Sequence, residues 1–467
     1  MSVSTSDNWE LVSENREAVI AALERGECDG ILPAAEEFLD EFADFCLEIG
    51  LPALLDKLPD PRERRSIPAC FFGNLLVYKA LLRIPSLQQA TRVLFRSPAV
   101  LRRMGFNWHE SHQGFYVNGA VKPFNEEALA DFFAQFSLEQ LWDYQLAILP
   151  DLLAACPELL GAGTLVLDSI TVTVPAGHRG RAGGQYKVCV LSAADRGQIF
   201  PLLCLFAPPH ENDLTLGKKV LEAALPLLPE RPRHLLLDRG FLDGAWIGEL
   251  AAQGLTVVMG VRSDMHIYED MLGLSRLPGT RWERVSPPKL HGQPRPVRHV
   301  TGCAGVETWS RCPVPLSAAV IRDDFPDGPR RHQVVVSTAP AMSAKALHNW
   351  ARQRWQIEEA FMALTRYWNL DQLGSCRHPV YLAQVLFTFL AYALLAAFVA
   401  RDAELDGPPG PPGPRLPGRE LVIYWGPYYA ILLPSELFTI VFDHLPAWQA
   451  NRAQWVEAMR YCEGRSP

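Results

Sequence analysis

Between Thr164 and Val261 the chain changes its local pattern in a fixed order, and that order restricts the folds open to it. Thr164 to Val174 is rich in Val, Leu, Ile and Thr. Val188 to Ala193 and Ile199 to Phe206 follow, separated by the turn-like Asp195-Arg196-Gly197. Runs of β-branched and apolar residues bounded by turn residues predict strands. Asp213 predicts the N-cap of a helix over Leu214 to Leu228. His234 to Leu237 then predicts a short buried strand, Asp243 to Gln253 a second helix, and Thr256 to Val261 another strand. The first three strands suit an antiparallel meander. The later ones, separated by helices, suit parallel pairing. The expectation is an α/β fold, a mixed sheet with flanking helices.

Three carboxylates stand out against this pattern. Asp168 lies inside Leu165-Val166-Leu167-Asp168, near the middle of the first strand, where an acid is costly unless it is paired or bound to a metal. Asp238 ends Leu235-Leu236-Leu237, at the carboxyl end of a strand, where open α/β sheets build their sites. Glu358 follows Arg354-Trp355-Gln356-Ile357 in a long helix that Ser343 begins and Asn369 ends. Two strand-borne aspartates and one helix-borne glutamate can converge on one sheet edge. Such a set suits Mg²⁺, which takes hard oxygen ligands and assists phosphodiester chemistry in pairs. By position alone each acid also suits a helix cap or a salt bridge.

The rest of the chain frames this core. Residues 1–50 hold thirteen acids and two bases, so the net charge of −8 leaves 42 bases against 39 acids beyond them. The body is mildly basic, and the acidic total does not exclude a nucleic-acid partner. Residues 1–150 read as a helical domain, with Arg92, Arg96, Arg102 and Arg103 on short helices that suit either a DNA contact or a solvated face. Residues 160–262 and 330–401 read as the two parts of the core. Between them 263–329, rich in Pro, Gly, Arg and Asp, reads as a β-rich insertion. Residues 407–418 form a Pro/Gly linker and 419–467 a helical appendage. Val380 to Ala400 is long enough to span a bilayer, yet an isolated apolar run between charged segments is expected as a buried core helix. The N-terminus lacks the pattern of a secretory signal. Ten cysteines without a CxxC pair predict buried free thiols in a reducing cytosol.

Leu165 to Ser169, Asp238-Arg239-Gly240-Phe241 and Arg352-Gln353-Arg354-Trp355-Gln356-Ile357-Glu358 together resemble bacterial insertion-sequence transposases of the DDE superfamily, in the group with a tyrosine–arginine–glutamate–lysine signature (insertion sequence family four). The resemblance runs from about residue 160 to 400 and includes a β-rich insertion between the second and third acids. It implies an RNase H-like catalytic domain in which Asp168, Asp238 and Glu358 hold two Mg²⁺ ions, with Mn²⁺ as a substitute. It implies Mg²⁺-dependent cleavage and strand transfer on double-stranded DNA, at element ends and at a target, by a homodimer assembled on the DNA. The location implied is cytoplasmic and nucleoid-associated, with no membrane.

The resemblance places Arg354 on DNA phosphate. Arg239, Arg352 and Trp355 adjoin the motif acids and are expected DNA contacts. So are Lys187, Arg179 and Arg181, in the basic stretch after the first strand, where a solvated hairpin tip is the competing reading. The signature tyrosine falls on Ala351 and the signature lysine on Thr365. Those departures leave a catalytically impaired or domesticated DNA-binding derivative as the alternative. Arg366 is one position late, rotated by ~100° on the helix. Trp282 and Trp309 in the insertion suit core packing, with base stacking as the rarer use.

Overall fold

The computed structural model describes residues 13–450 except 34–36, 64–66, 85, 95–107, 110–113, 118–119, 124–125, 162, 178–181, 196–197, 288–295, 327, 371–372, 402–420, 427 and 433. The basic residues Arg179, Arg181, Arg96, Arg102 and Arg103 and the 407–418 linker lie outside the described residues. Two compact units are present. One comprises 138–372 and 376–403; the other comprises 1–137, 373–375 and 404–467.

The first unit opens with helix α1 (Leu138–Ala155). Strands β1 (Thr164–Val174), β2 (Gly184–Asp195) and β3 (Gln198–Ala207) follow. Next come α2 (Asp213–Ala224), β4 (His234–Leu237), α3 (Gly244–Ala252) and β5 (Thr256–Gly260). The α2 cap is Asn212, whose side chain accepts from Leu214 N, one residue before the expected Asp213. Either side chain can cap, and the extended backbone of Asn212 is what decides.

The segment from 263 onward adds α4 (His266–Ser275) and strands β6 (Glu283–Val285), β7 (Val297–Val306), β8 (Leu316–Asp324) and β9 (Arg331–Ser337). Two long helices close the unit, α5 (Ala344–Tyr367) and α6 (His378–Arg401). All nine strands form one sheet in the order β6-β7-β8-β9-β5-β4-β1-β2-β3. The strands β1–β4 and β4–β5 pair in parallel, while β1–β2–β3 form an antiparallel meander. The insertion strands β6–β8 join the core sheet instead of forming a separate one, because β8 pairs antiparallel with the core strand β9, which pairs with β5.

Helix α6 is long and apolar enough to cross a membrane by composition, but most of it is buried. Tyr144 of α1 packs against its Phe387, and Gln384, the strongly polar residue between Val380 and Ala400, donates to Val380 O within the helix. A sheet edge is also covered: the buried Gln145 of α1 donates to Cys204 O and accepts from Cys204 N on the outer strand β3, at 2.9 and 2.8 Å. That amide takes the place of a neighbouring strand's rung.

In the second unit the beginning and end of the described chain share a core. Strands Gly30–Pro33, Leu421–Trp425, Tyr428–Leu432 and Ser13–Glu14 form a four-stranded sheet. Val19, Leu23, Ile31, Ile423, Leu437 and Trp448 pack on it. The 419–467 segment therefore carries a hairpin ahead of its helices, where the sequence reading expected helices alone. Its runs of aromatic and β-branched residues and a turn through Gly426 at φ 57° account for the hairpin. Helices Arg16–Glu24, Glu37–Glu48, Ala69–Leu81 and Glu126–Ala134 make up much of the rest.

Candidate active site

Register brings the first two acids together. Leu167 of β1 pairs with Leu237 of β4 in the parallel ladder, and Asp168 and Asp238 are the residues that follow them. β4 ends there, so Asp238 is released into a short 3-10 turn, Arg239–Phe241, while β1 runs on. Behind them α2 comes close through Gly217. A Cβ at that position would stand 2.7 Å from the Phe241 ring and 2.8 Å from Leu167 Cδ2.

Helix α5 supplies the rest. Ser343 caps it by accepting from Ala346 N. Leu347, Ile357 and Leu364 are fully buried, and Phe361 nearly so. Arg354 lies on the same stripe, three residues before Ile357 and seven after Leu347, so its side chain is directed at the sheet. Trp350, one turn earlier, stacks on His234 at the start of β4, with ring centroids 4.2 Å apart. Glu358 follows Arg354 by one turn.

The three acids meet on the Arg354 guanidinium. Its Nη2 donates to Glu358 Oε1 at 2.6 Å, and its Nη1 lies 3.3 Å from Asp238 Oδ1 and 3.5 Å from Asp168 Oδ2. The Arg354 and Asp168 side chains are each 14% exposed, against 34% for Asp238 and 37% for Glu358. Burial pushes the Asp168 carboxyl up to about 7, and the charges of Asp238 and Glu358 push the same way. The Ser169 N–H, which donates to Asp168 Oδ1 at 2.7 Å, and the Arg354 charge oppose that rise.

These acids open into a cleft of about 900 Å³. Arg239, Trp355, Met362, Thr365 and Arg366 line it on the core side, and Arg298, Asp323, Phe325, Arg331 and Gln333 on the side of the insertion strands. Arg298 and Asp323 form a two-pronged ion pair with both contacts at 2.6 Å. Arg331 lies over the Phe325 ring at 5.1 Å. Trp355 and Met362 are each 48% exposed, and they flank Glu358 on one helix face.

Six of the expected site residues therefore share one cleft: Asp168, Asp238, Arg239, Arg354, Trp355 and Glu358. Arg352 is exposed on α5 outside the lining, whereas Arg366 is within it. Thr365 turns its hydroxyl back to Phe361 O at 2.8 Å. Lys187 also stands outside the cleft. It donates to Glu211 O at 2.7 Å and lies 3.2 Å from Asp213, which ties β2 to the start of α2. Trp282 is occupied by Arg322, whose guanidinium sits 4.3 Å from its ring centroid. Cys312 bonds Val314 O, and Cys303 contacts Met271. The lining residues Arg298, Asp323, Phe325 and Arg331 were not legible as site residues. Their one signal is a charged run at strand ends, which also fits an ordinary solvated hairpin.

Among the described residues no three His, Cys, Asp or Glu side chains are drawn together as a ready metal cage. The donor set still fits a hard divalent cation in kind. It consists of carboxylate oxygens, one of them on a buried acid whose ionised form is disfavoured without a positive neighbour, and it faces an open cleft.

Compared with known proteins, residues 160–394 match the family model of the transposase DDE domain. No curated protein matches the chain. Among solved structures it is similar to a piggyBac transposase synaptic complex with hairpin DNA, determined by cryo-EM. The identity is 12%, over 81% of this chain and 85% of that chain, with a TM-score of 0.37.

Proposed function

This chain belongs to the DDE transposase family, and from that premise we propose that it cuts DNA at the ends of an insertion element and joins the freed 3′ ends to a target, with Mg²⁺ or Mn²⁺ held by Asp168, Asp238 and Glu358. The observation that carries this reading is the convergence of the three acids, from two strands and one helix, on a single cation in an open cleft. Two divalent ions held there would supply the charge that activates the attacking water or hydroxyl and stabilises the leaving oxygen.

The remaining work falls to the chain itself. Arg354 binds the phosphate at the cut, using the fork that suits two phosphate oxygens. Arg239 and Arg366 lie on the core side of the cleft and Arg331 on the other, positioned to follow a nucleic-acid backbone by charge. Trp355 and Met362 offer apolar surface to a base beside the cut. The same cleft serves both steps, because in-line attack by water leaves the 3′-hydroxyl at the leaving-group position within it, from where it can attack a target phosphate. The enzyme works as a homodimer on two element ends, in a nucleoid-associated, cytoplasmic setting.

The test is nicking of a supercoiled plasmid that carries the DNA flanking this reading frame, in Mg²⁺ and in Mn²⁺. Wild type is expected to nick at the element ends, and Asp168→Ala, Asp238→Ala and Glu358→Ala to lose at least ~10²-fold in rate. Specific binding of those ends by wild type without any nicking would instead establish the DNA-binding derivative. The observation favouring that second reading is Thr365, whose hydroxyl is spent on its own helix.

A further inference from the structure

We propose that Arg354 is an internal counter-ion that competes with divalent metal for the three acids and yields them only when a DNA phosphate takes its guanidinium. This rests on the reading that Asp168, Asp238 and Glu358 hold the metal. It adds that the chain limits metal occupancy until DNA is present.

The geometry points to competition. One guanidinium contacts all three carboxylates, with its strongest bond to Glu358 on its own helix. Ligation draws carboxylate oxygens to within about 2.1 Å of a divalent ion. The guanidinium already occupies Glu358 Oε1, Asp238 Oδ1 and Asp168 Oδ2, oxygens that a metal ion would need. Metal entry therefore requires Arg354 to move.

The side chain has somewhere to go. The neighbouring cleft is wide, and Arg354 rides on a helix held by Ser343, Trp350 and the buried stripe, so rotation of its long stem needs no backbone change. A phosphate in the cleft offers the fork two oxygens. The exchange leaves each cation with its better partner: guanidinium on phosphate, metal on carboxylate. Metal and DNA then each raise affinity for the other, as linkage requires.

The experiment is a Mn²⁺ titration of the full chain, with free Mn²⁺ read by electron paramagnetic resonance. It is run alone and with a duplex taken from the flanking DNA. Wild type is expected to bind Mn²⁺ about tenfold more tightly with the duplex. Arg354→Gln is expected to bind it about tenfold more tightly than wild type without DNA, and to lose most of the response to the duplex. Arg231→Gln, at an exposed loop, controls for a general change of charge and is expected to match wild type.

Equal affinity of wild type and Arg354→Gln without DNA overturns the counter-ion role and leaves the triad reading intact. Failure of both to bind Mn²⁺ under either condition overturns the triad reading, and this inference with it. If Arg354→Gln does not fold, Arg354→Lys keeps the charge but loses the fork. It is expected to bind Mn²⁺ more tightly than wild type by a smaller factor, and identity with wild type overturns the proposal.

Discussion

Leu167 and Leu237 form the last rung of the parallel ladder between β1 and β4, and that rung sets Asp168 beside Asp238. Proximity of the two acids is thus a property of strand register and of the point where β4 stops. A glutamate from α5 and an arginine one turn before it complete the cluster.

The first prediction concerns pH. The folded value of Asp168, about 7, lies above its ordinary 3.8. Between those values the folded state keeps a proton that the unfolded chain gives up. Its contribution to stability is therefore fully present below pH 3.8 and is lost as pH rises through 7. In EDTA, wild type should lose stability across that window relative to Asp168→Asn, by an amount on the order of a few kcal/mol. Urea midpoints at pH 4.5, 6 and 7.5 measure this, and parallel slopes for the two proteins would count against it. Excess Mg²⁺ should flatten the wild-type slope, because it binds the ionised form.

Gly217 supports a second prediction. An added Cβ meets the Phe241 ring and Leu167, both buried, directly behind the two aspartates. Gly217→Ala should cost about 1–3 kcal/mol through overpacking, despite alanine's better helix propensity. It should also lower nicking more than DNA binding, because Leu167 and Phe241 flank the segment that sets the acids. Differential scanning calorimetry and gel-shift titration separate the two effects. A variant with unchanged melting and nicking would refute the packing argument.

Much of the core was legible in the sequence because its signals are local. The strand runs, the turn after β2, and the helix from Ser343 each carry their own pattern. Asp168 was conspicuous as an acid in an apolar strand. Arg354 carried a comparable signal, a cation on the buried stripe of Leu347, Ile357 and Leu364, but only the structure places it among all three acids. The insertion strands were legible as β, yet their membership in the core sheet depends on β8 pairing with β9, which no local pattern encodes. The same holds for Gly30–Pro33 against Leu421–Trp425, a pairing between distant parts of the chain. Lys187 read as a DNA contact or a solvated hairpin tip because Glu211 and Asp213, its partners, belong to a separate element.

A third prediction tests the covered sheet edge. Gln145→Ala removes both backbone bonds to Cys204, whose outward N–H and carbonyl then lie buried without that partner. Each orphaned group costs roughly 1–3 kcal/mol, so a total loss of about 2–6 kcal/mol is expected. Hydrogen exchange of the Cys204 amide should accelerate well beyond what the global loss explains. Retention of its protection would mean that another group covers the strand.

The last prediction concerns Lys79, on the helix Ala69–Leu81, where every residue is buried. Lys79 is 2% exposed, and burial pulls its amine down to about 7 from 10.5. The folded chain therefore holds it largely neutral at pH 8, while the unfolded chain binds a proton. Stability from this group is fully present above pH 10.5 and is lost as pH falls to 7. Lys79→Met, similar in shape and uncharged, removes that loss. It should raise the urea midpoint at pH 7 and flatten its dependence on pH between 7 and 10. The gain should be on the order of a few kcal/mol at pH 7 and should vanish near pH 10.5. A midpoint that falls at pH 7 would show that the ammonium is satisfied in the folded state, and would overturn the argument from burial.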